Sequence, residues 1–132
     1  MSTTDPKTVV VTYVEAVANG DLETITASFA DDATWTYPGD VPLTGVWKGK
    51  DAIINDFLGG ATGGLFTEPP RITLTNVLSD GEQVIAEWTA YGPTKTGKIY
   101  DNHCLGVFVV RDGKIASVRE YTDTQHVARV LF

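Results

Sequence analysis

The stretch Gly97–Asp123, GKIYDNHCLGVFVVRDGKIASVREYTD, decides the fold. Two runs rich in β-branched and aromatic residues, Ile99 to Val110 and Ile115 to Thr122, flank Arg111-Asp112-Gly113. A glycine at that point tolerates the positive φ that a tight hairpin turn demands, so the stretch reads as a long antiparallel hairpin. Successive side chains on a strand point to opposite faces. Asn102, Cys104, Gly106 and Phe108 therefore share one side of the first arm, and Asp101, His103, Leu105 and Val107 share the other. On the second arm Ala116, Val118, Glu120 and Thr122 oppose Ile115, Ser117, Arg119 and Tyr121. We take the setting with Glu120 inward, which turns Asp101 and His103 outward. The alternative has them facing a pocket, the carboxylate fixing the imidazole tautomer.

Working back from the hairpin, Ile72 to Leu78 and Val84 to Tyr91 also alternate, linked by Ser79-Asp80-Gly81-Glu82 and followed by Gly92-Pro93-Thr94-Lys95-Thr96-Gly97. With the hairpin they make a four-stranded meander. Before Arg71 the period is helical. Thr4-Asp5-Pro6 announces a first helix with Val10, Tyr13, Val14 and Val17 on one face, stopped at Asn19-Gly20. Asp21 starts a second helix carrying Leu22, Ile25 and Phe29, ended by Ala30-Asp31-Asp32. Ala33 to Tyr37 is a brief strand cut off by Pro38-Gly39, with another short strand at Val46-Trp47. Asp51 caps a third helix with Ile53, Ile54, Phe57 and Leu58, which Gly59-Gly60 and Gly63-Gly64 end in a flexible stretch able to gate an opening. Asp123 or Thr124 caps a closing helix to Leu131. The fold class is thus α+β: a curved, mostly antiparallel sheet with three N-terminal helices packed on its concave face, a short C-terminal helix, and a cavity between the layers.

The 132 residues form one domain, residues 1–132, long enough to bury a sizeable core. A net charge of −7 without any Lys/Arg cluster argues against a nucleic-acid partner. No apolar run approaches the ~20 residues of a membrane span. Met1 to Lys7 is polar rather than built like a signal peptide, which points to the cytoplasm. The single cysteine, Cys104, excludes an internal disulfide. No zinc, haem, flavin or phosphate-loop pattern is present, His126 has no ligand partner at a convincing spacing, and no metal or cofactor is expected.

The segments VVVTYVEAVANGDLETITASFADDATWTYPGD (9–40), GVWKGKDAI (45–53) and GKIASVREYTD (113–123) resemble the SnoaL-like branch of the nuclear transport factor 2-like superfamily. That superfamily also contains ketosteroid isomerase, limonene epoxide hydrolase and polyketide cyclases. The resemblance covers nearly the whole chain and implies a cone-shaped fold, commonly homodimeric through the convex sheet face, with an apolar pocket for a small hydrophobic ligand. Set against ketosteroid isomerase, Tyr13 falls at the oxyanion-hole tyrosine, while Tyr37 and Gly106 stand at the base and the second acid, so two of three catalytic groups are missing. Set against the epoxide hydrolase, Glu120 matches one carboxylate, Glu87 the other if the loop before Gly97 carries an insertion, and Ile85 takes the place of the arginine between them. In the cyclases the acid/base residue again matches Glu120.

Physical chemistry gives these positions a role of their own. A carboxylate in an apolar cavity loses hydration, so its pKa rises toward neutrality and it can exchange a proton at pH 7. A second carboxylate, Glu87, would separate the pair into an acid and a base. In the plainer alternative either glutamate faces solvent, paired with Arg119 or a lysine. Tyr13 could donate to a substrate oxygen or could be core with its hydroxyl satisfied at an edge. Glu120, Glu87 and Tyr13 are thus the catalytic candidates, and Trp35, Tyr37, Phe57, Asn102, Cys104 and Thr122 the pocket lining. Asn102 could orient a water or a carbonyl, and Cys104 fills space. Three readings follow: a cofactor-free isomerase, cyclase or epoxide-opening hydrolase, a non-catalytic binding domain, or a protein-pairing domain with a filled core.

Overall fold

The hairpin of Ile99–Thr122 lies at the centre of a curved, unclosed mixed sheet of six described strands. The structure is a computed structural model describing residues 5–132, so Thr4 of the expected first cap lies outside the described residues. The chain runs α1 (Pro6–Asn19), α2 (Leu22–Ser28), β1 (Phe29–Tyr37), β2 (Gly45–Lys48), α3 (Ala52–Thr62), β3 (Arg71–Asp80), β4 (Gln83–Pro93), β5 (Ile99–Arg111), β6 (Lys114–Thr122) and α4 (Thr124–Leu131). The strands are ordered β2-β1-β6-β5-β4-β3. All neighbours are antiparallel except β1 and β6. That parallel pair follows from connectivity: β2, α3 and the strands β3 to β5 intervene, which is the long crossover a parallel neighbour requires.

The β5–β6 turn places Asp112 at φ 53° and Gly113 at φ 76°. This pair of left-handed residues has a twist matching that of the flanking strands. Val10, Tyr13 and Val14 on α1 are buried with Val84, Ala86 and Phe108 of the sheet, in one core that also takes Val118 of β6 and Val127 of α4. Gly20, at φ 68°, ends α1 by returning its N–H to the last carbonyls, and the Asp123 carboxylate accepts from His126 N at 3.1 Å to start α4. No helix among the described residues is long and apolar enough to cross a membrane.

Three local expectations are corrected. β1 begins at Phe29, not Ala33, because its register against β6 shifts between Phe29 and Thr34 and a wide irregularity carries the exposed Asp31 and Asp32 that read as a helix end. A second shift, between Val109 and Val110, brings Ile115 to the buried side with Val118 and Glu120, although simple alternation had set it opposite them. Third, Gly59-Gly60 does not end α3. The helix is wound wide, as a π-helix, as far as Thr62 and passes into a 3-10 turn at Gly63–Leu65. Wide winding crowds the backbone: a β-carbon on Gly63 would stand 2.8 Å from the Leu58 carbonyl oxygen, so glycine here permits the path instead of breaking it.

Gly106 faces Glu120 directly across the β5–β6 pair. A β-carbon there would lie 2.6 Å from the Phe108 ring and 3.1 Å from the Trp88 ring. Phe108 is fully buried and cannot swing away. Gly106→Ala should therefore destabilise the fold by about 1 to 3 kcal/mol, the usual result of overpacking a filled core. The measurement is a urea titration, with a lowered midpoint and an unchanged m-value.

Candidate functional site

Between α1, α3 and the inner sheet face lies a cavity of about 310 Å³. That volume is at the small end of the range for sites that enclose organic ligands. Alternation on the three central strands supplies its inner wall: Trp35 and Tyr37 from β1, Glu120 from β6, and Tyr100 and Cys104 from β5. Tyr13 and Val14 reach in from α1, Ile54 and Phe57 from α3, and Trp88 from β4. The rings form one connected set, with Trp35 at 5.2 Å from Phe57, Phe57 at 5.8 Å from Tyr37, and Tyr13 at 6.4 Å from Trp35.

Among the described residues Glu120 is the one charged side chain in this wall, and it is 8 % exposed. The Trp35 indole N–H donates to its Oε1 at 3.1 Å. Burial pushes its carboxyl up to about 7, although the Trp35 hydrogen bond and the nearby Cys104 thiol pull the other way. Desolvation wins because the indole donor and the neighbouring thiol replace only part of the hydration a carboxylate has in water. The same burial, with the Glu120 charge nearby, raises Tyr13 and Tyr37 well above the ordinary phenol range and pushes Cys104 up to about 12. Tyr13, Tyr37, Tyr100 and Cys104 are therefore neutral at pH 7. They can donate hydrogen bonds but cannot act as bases or as a reactive thiolate.

Of the residues picked out from sequence, the structure brings Glu120, Tyr13, Trp35, Tyr37, Phe57 and Cys104 together around one cavity. It does not bring Glu87 there. Glu87 pairs with Leu105, which in turn pairs with Tyr121, on the outer face of the sheet. Its carboxylate accepts from Asn76 Nδ2 at 2.9 Å in an exposed position. The cause is register: with Glu120 opposite Gly106 and Gly106 opposite Ala86, the inward place on β4 belongs to Ala86 and its neighbour Glu87 must point out. Ile85, where an arginine would complete the epoxide-hydrolase set, is likewise partly exposed on that outer side.

Asn102 and Thr122 are also not in the cavity wall. Asn102 is buried on the inner face, but its amide donates to the Tyr100 hydroxyl at 2.9 Å and to the Asp123 carbonyl at 3.1 Å, bracing the start of α4. The Thr122 hydroxyl donates to the His103 carbonyl at 3.0 Å. Asp101 and His103 are exposed on the outer face, as the inward setting of Glu120 requires. His126 accepts from the Asp101 backbone N–H at 3.0 Å and packs on the Tyr100 ring. Among the described residues no cluster of metal-binding side chains occurs.

Tyr100, Trp88, Phe66 and Thr62 line the cavity without having been picked out. Tyr100 shares the alternation of Asn102 and Cys104 and could have been found that way. Trp88 sits two places from Ala86 and Ala90 on the inner side of β4. The Thr62 hydroxyl is buried with no hydrogen-bond partner among the described residues, at the end of the wide helix, where no sequence signal pointed.

The fold that holds this site recurs in solved structures. The chain is 29% identical to Bal32a from a soil-derived mobile gene cassette, covering 98% of this chain and 99% of that one, with a TM-score of 0.83. It is 23% identical to an LEH-like epoxide hydrolase of Mycobacterium tuberculosis, covering 99% and 92%, with a TM-score of 0.77, a likeness of fold. An uncharacterised protein of Mycobacterium tuberculosis is 33% identical over 110 residues, 80% of this chain and 79% of the relative. Residues 10–118, from the start of the α1 core stripe to Val118 beside the buried carboxylate, match the profile of the SnoaL-like domain, and the chain belongs to that family.

Proposed function

We propose that the cavity binds a small, mainly apolar molecule and that Glu120 moves a proton on it, without a cofactor, in isomerase- or cyclase-type chemistry. The observation that carries this reading is a lone carboxyl group, buried among rings, whose pKa of about 7 lets both protonation states exist at neutral pH. A general base or acid needs that balance. The neutral phenol of Tyr13, on the same cavity, supplies a donor for an oxygen on which negative charge develops. Epoxide opening of the two-carboxylate kind is less well supported, since Glu87 lies on the other side of the sheet.

Glu120→Gln keeps the shape and the hydrogen-bond reach while removing the exchangeable proton. Screened against enone, epoxide and polyketide-like panels, the wild-type chain should turn over at least one substrate, and the variant should lose that turnover while retaining its circular dichroism. Turnover that survives in the variant sinks the acid/base role. Ligand binding without turnover in the wild type would favour instead a carrier or sensor domain, a reading supported by the absence of a second carboxylate from the cavity.

The raised pKa also makes a stability statement. Between pH 4.5 and about 7 the folded chain keeps a proton that the unfolded chain has released. The stability this group contributes is therefore full below 4.5 and is lost as pH rises through about 7. The gap corresponds to about 3 kcal/mol. The difference in unfolding free energy between Glu120→Gln and wild type should move in favour of glutamine by that amount from pH 4 to pH 8. Urea titrations at the two pH values measure it, and an unchanged difference would place the carboxyl in contact with water.

We further propose a homodimer through the outer sheet face. Ile85, Leu105, Val107 and Tyr121 form an incompletely covered apolar stripe there. Glu87 and Arg119 occupy opposite corners of it, so a two-fold axis oblique to the strands sets each over the other's counterpart in a second copy. Sedimentation equilibrium should give twice the chain mass for the wild type and a single-chain mass for Val107→Arg. A monomeric wild type at tens of micromolar (roughly the range of a weak dimer) counts against the interface.

A further inference from the structure

The charges around the cavity are one-sided. The titratable groups that face Glu120 are Tyr13 from α1, Tyr37 from β1, and Tyr100 and Cys104 from β5, all neutral at pH 7, and Trp35 donates to it. Among the described residues, no lysine, arginine or histidine lines the cavity. Once ionised, Glu120 is a buried anion with no cationic side chain among those residues to answer it. Around it Trp35 and Phe57 are inclined at 41°, Tyr37 and Phe57 at 58°, and Tyr13 and Trp35 at 60°. Rings therefore border the space from three elements at once, Tyr13 from α1, Phe57 from α3, and Trp35 and Tyr37 from β1.

Ring faces are electronegative and attract cations, most of all those with weakly held hydration such as quaternary ammonium. An anionic guest would meet like charge at Glu120. A neutral guest would leave the carboxylate unpaired or force it to take up a proton. A hydrophobic cation satisfies the carboxylate and the rings together. We propose that the cavity is a binding site for hydrophobic ammonium compounds, with the cationic nitrogen against Glu120 and its methyl groups against Trp35, Tyr37 and Phe57. This rests on the reading of the cavity as a ligand site but requires no turnover.

The two ideas separate with a pair of probes of nearly the same shape, benzyltrimethylammonium and neopentylbenzene, which differ in a nitrogen cation for a carbon. Trp35 and Trp88 line the cavity, so intrinsic fluorescence reports both. At pH 8 the ammonium probe should bind about tenfold tighter than its isostere, the order of a desolvated ring and ion contact. At pH 6 only about a tenth of Glu120 is ionised, so the ammonium affinity should fall about tenfold from its pH 8 value, while that of the isostere does not fall. Glu120→Gln should abolish the preference and still bind neopentylbenzene. Equal or weaker binding of the ammonium probe at pH 8, or a preference that persists in the glutamine variant, overturns the inference. If only the isostere binds, the cation site is gone and the apolar ligand site stands. If neither binds, both fall.

Discussion

The buried hydrogen bond from the Trp35 indole to Glu120 is the point on which this molecule turns. It joins β1 to β6, the parallel pair among the described strands, and so links the helical first half of the chain to the meander of the second. A carboxylate is seldom fully buried unless its oxygens are satisfied. Here the indole N–H fills that need for one oxygen. The result is a group satisfied enough to remain in the core and too poorly solvated to remain fully ionised. Trp35 has a second duty, since its ring packs against Phe57, Tyr13 and Phe108. The residue that orients the carboxyl is thus also part of the wall that dries it.

How far the sequence discloses this arrangement depends on the kind of information needed. Alternation along Ile99–Thr122 is local, and it was enough to place Glu120, Cys104 and Phe108 on one face and Asp101 and His103 on the other. The facing of Glu87 is not local. It depends on which residue of β4 meets Gly106, and hence on how many residues the loop from Gly92 to Gly97 uses in its turn. β4 also carries apolar residues on both sides, Val84 and Ala86 inward and Ile85 and Tyr91 outward, so its own pattern cannot choose. Asn102 and Thr122 show a different gap. Alternation assigns a face but not a depth, and these two inward residues lie where the sheet meets α4 and are spent on bracing carbonyls.

The helices were legible as periodic segments but not in their winding. Glycine pairs usually end helices. In α3 they allow a wider backbone to pass close to its own carbonyls, a path that depends on three-dimensional crowding and has no sequence period of its own. The irregularity in β1 is similar. Ala30-Asp31-Asp32 looks like a stop because it is polar, yet the strand carries it on the exposed side. In both places the local signal is correct about polarity or flexibility and misjudges the continuity of the element.

The carboxyl at position 120 works against the fold above neutral pH, and a glutamine there would keep nearly the same volume and the same acceptor for the indole. The position is therefore not explained by stability. A buried acid that lowers stability when it ionises makes physical sense where the ionised form acts on something other than the protein, either by taking a proton from a guest or by holding a cation. Both uses draw on the same departure from ordinary solvation, since desolvation raises the proton affinity of the carboxylate and strengthens its attraction for any cation that enters. They differ only in what the guest brings, a labile hydrogen or a fixed charge. An aromatic cavity with one acid and no cationic side chain among the described residues of its wall is suited to either and unsuited to an anion.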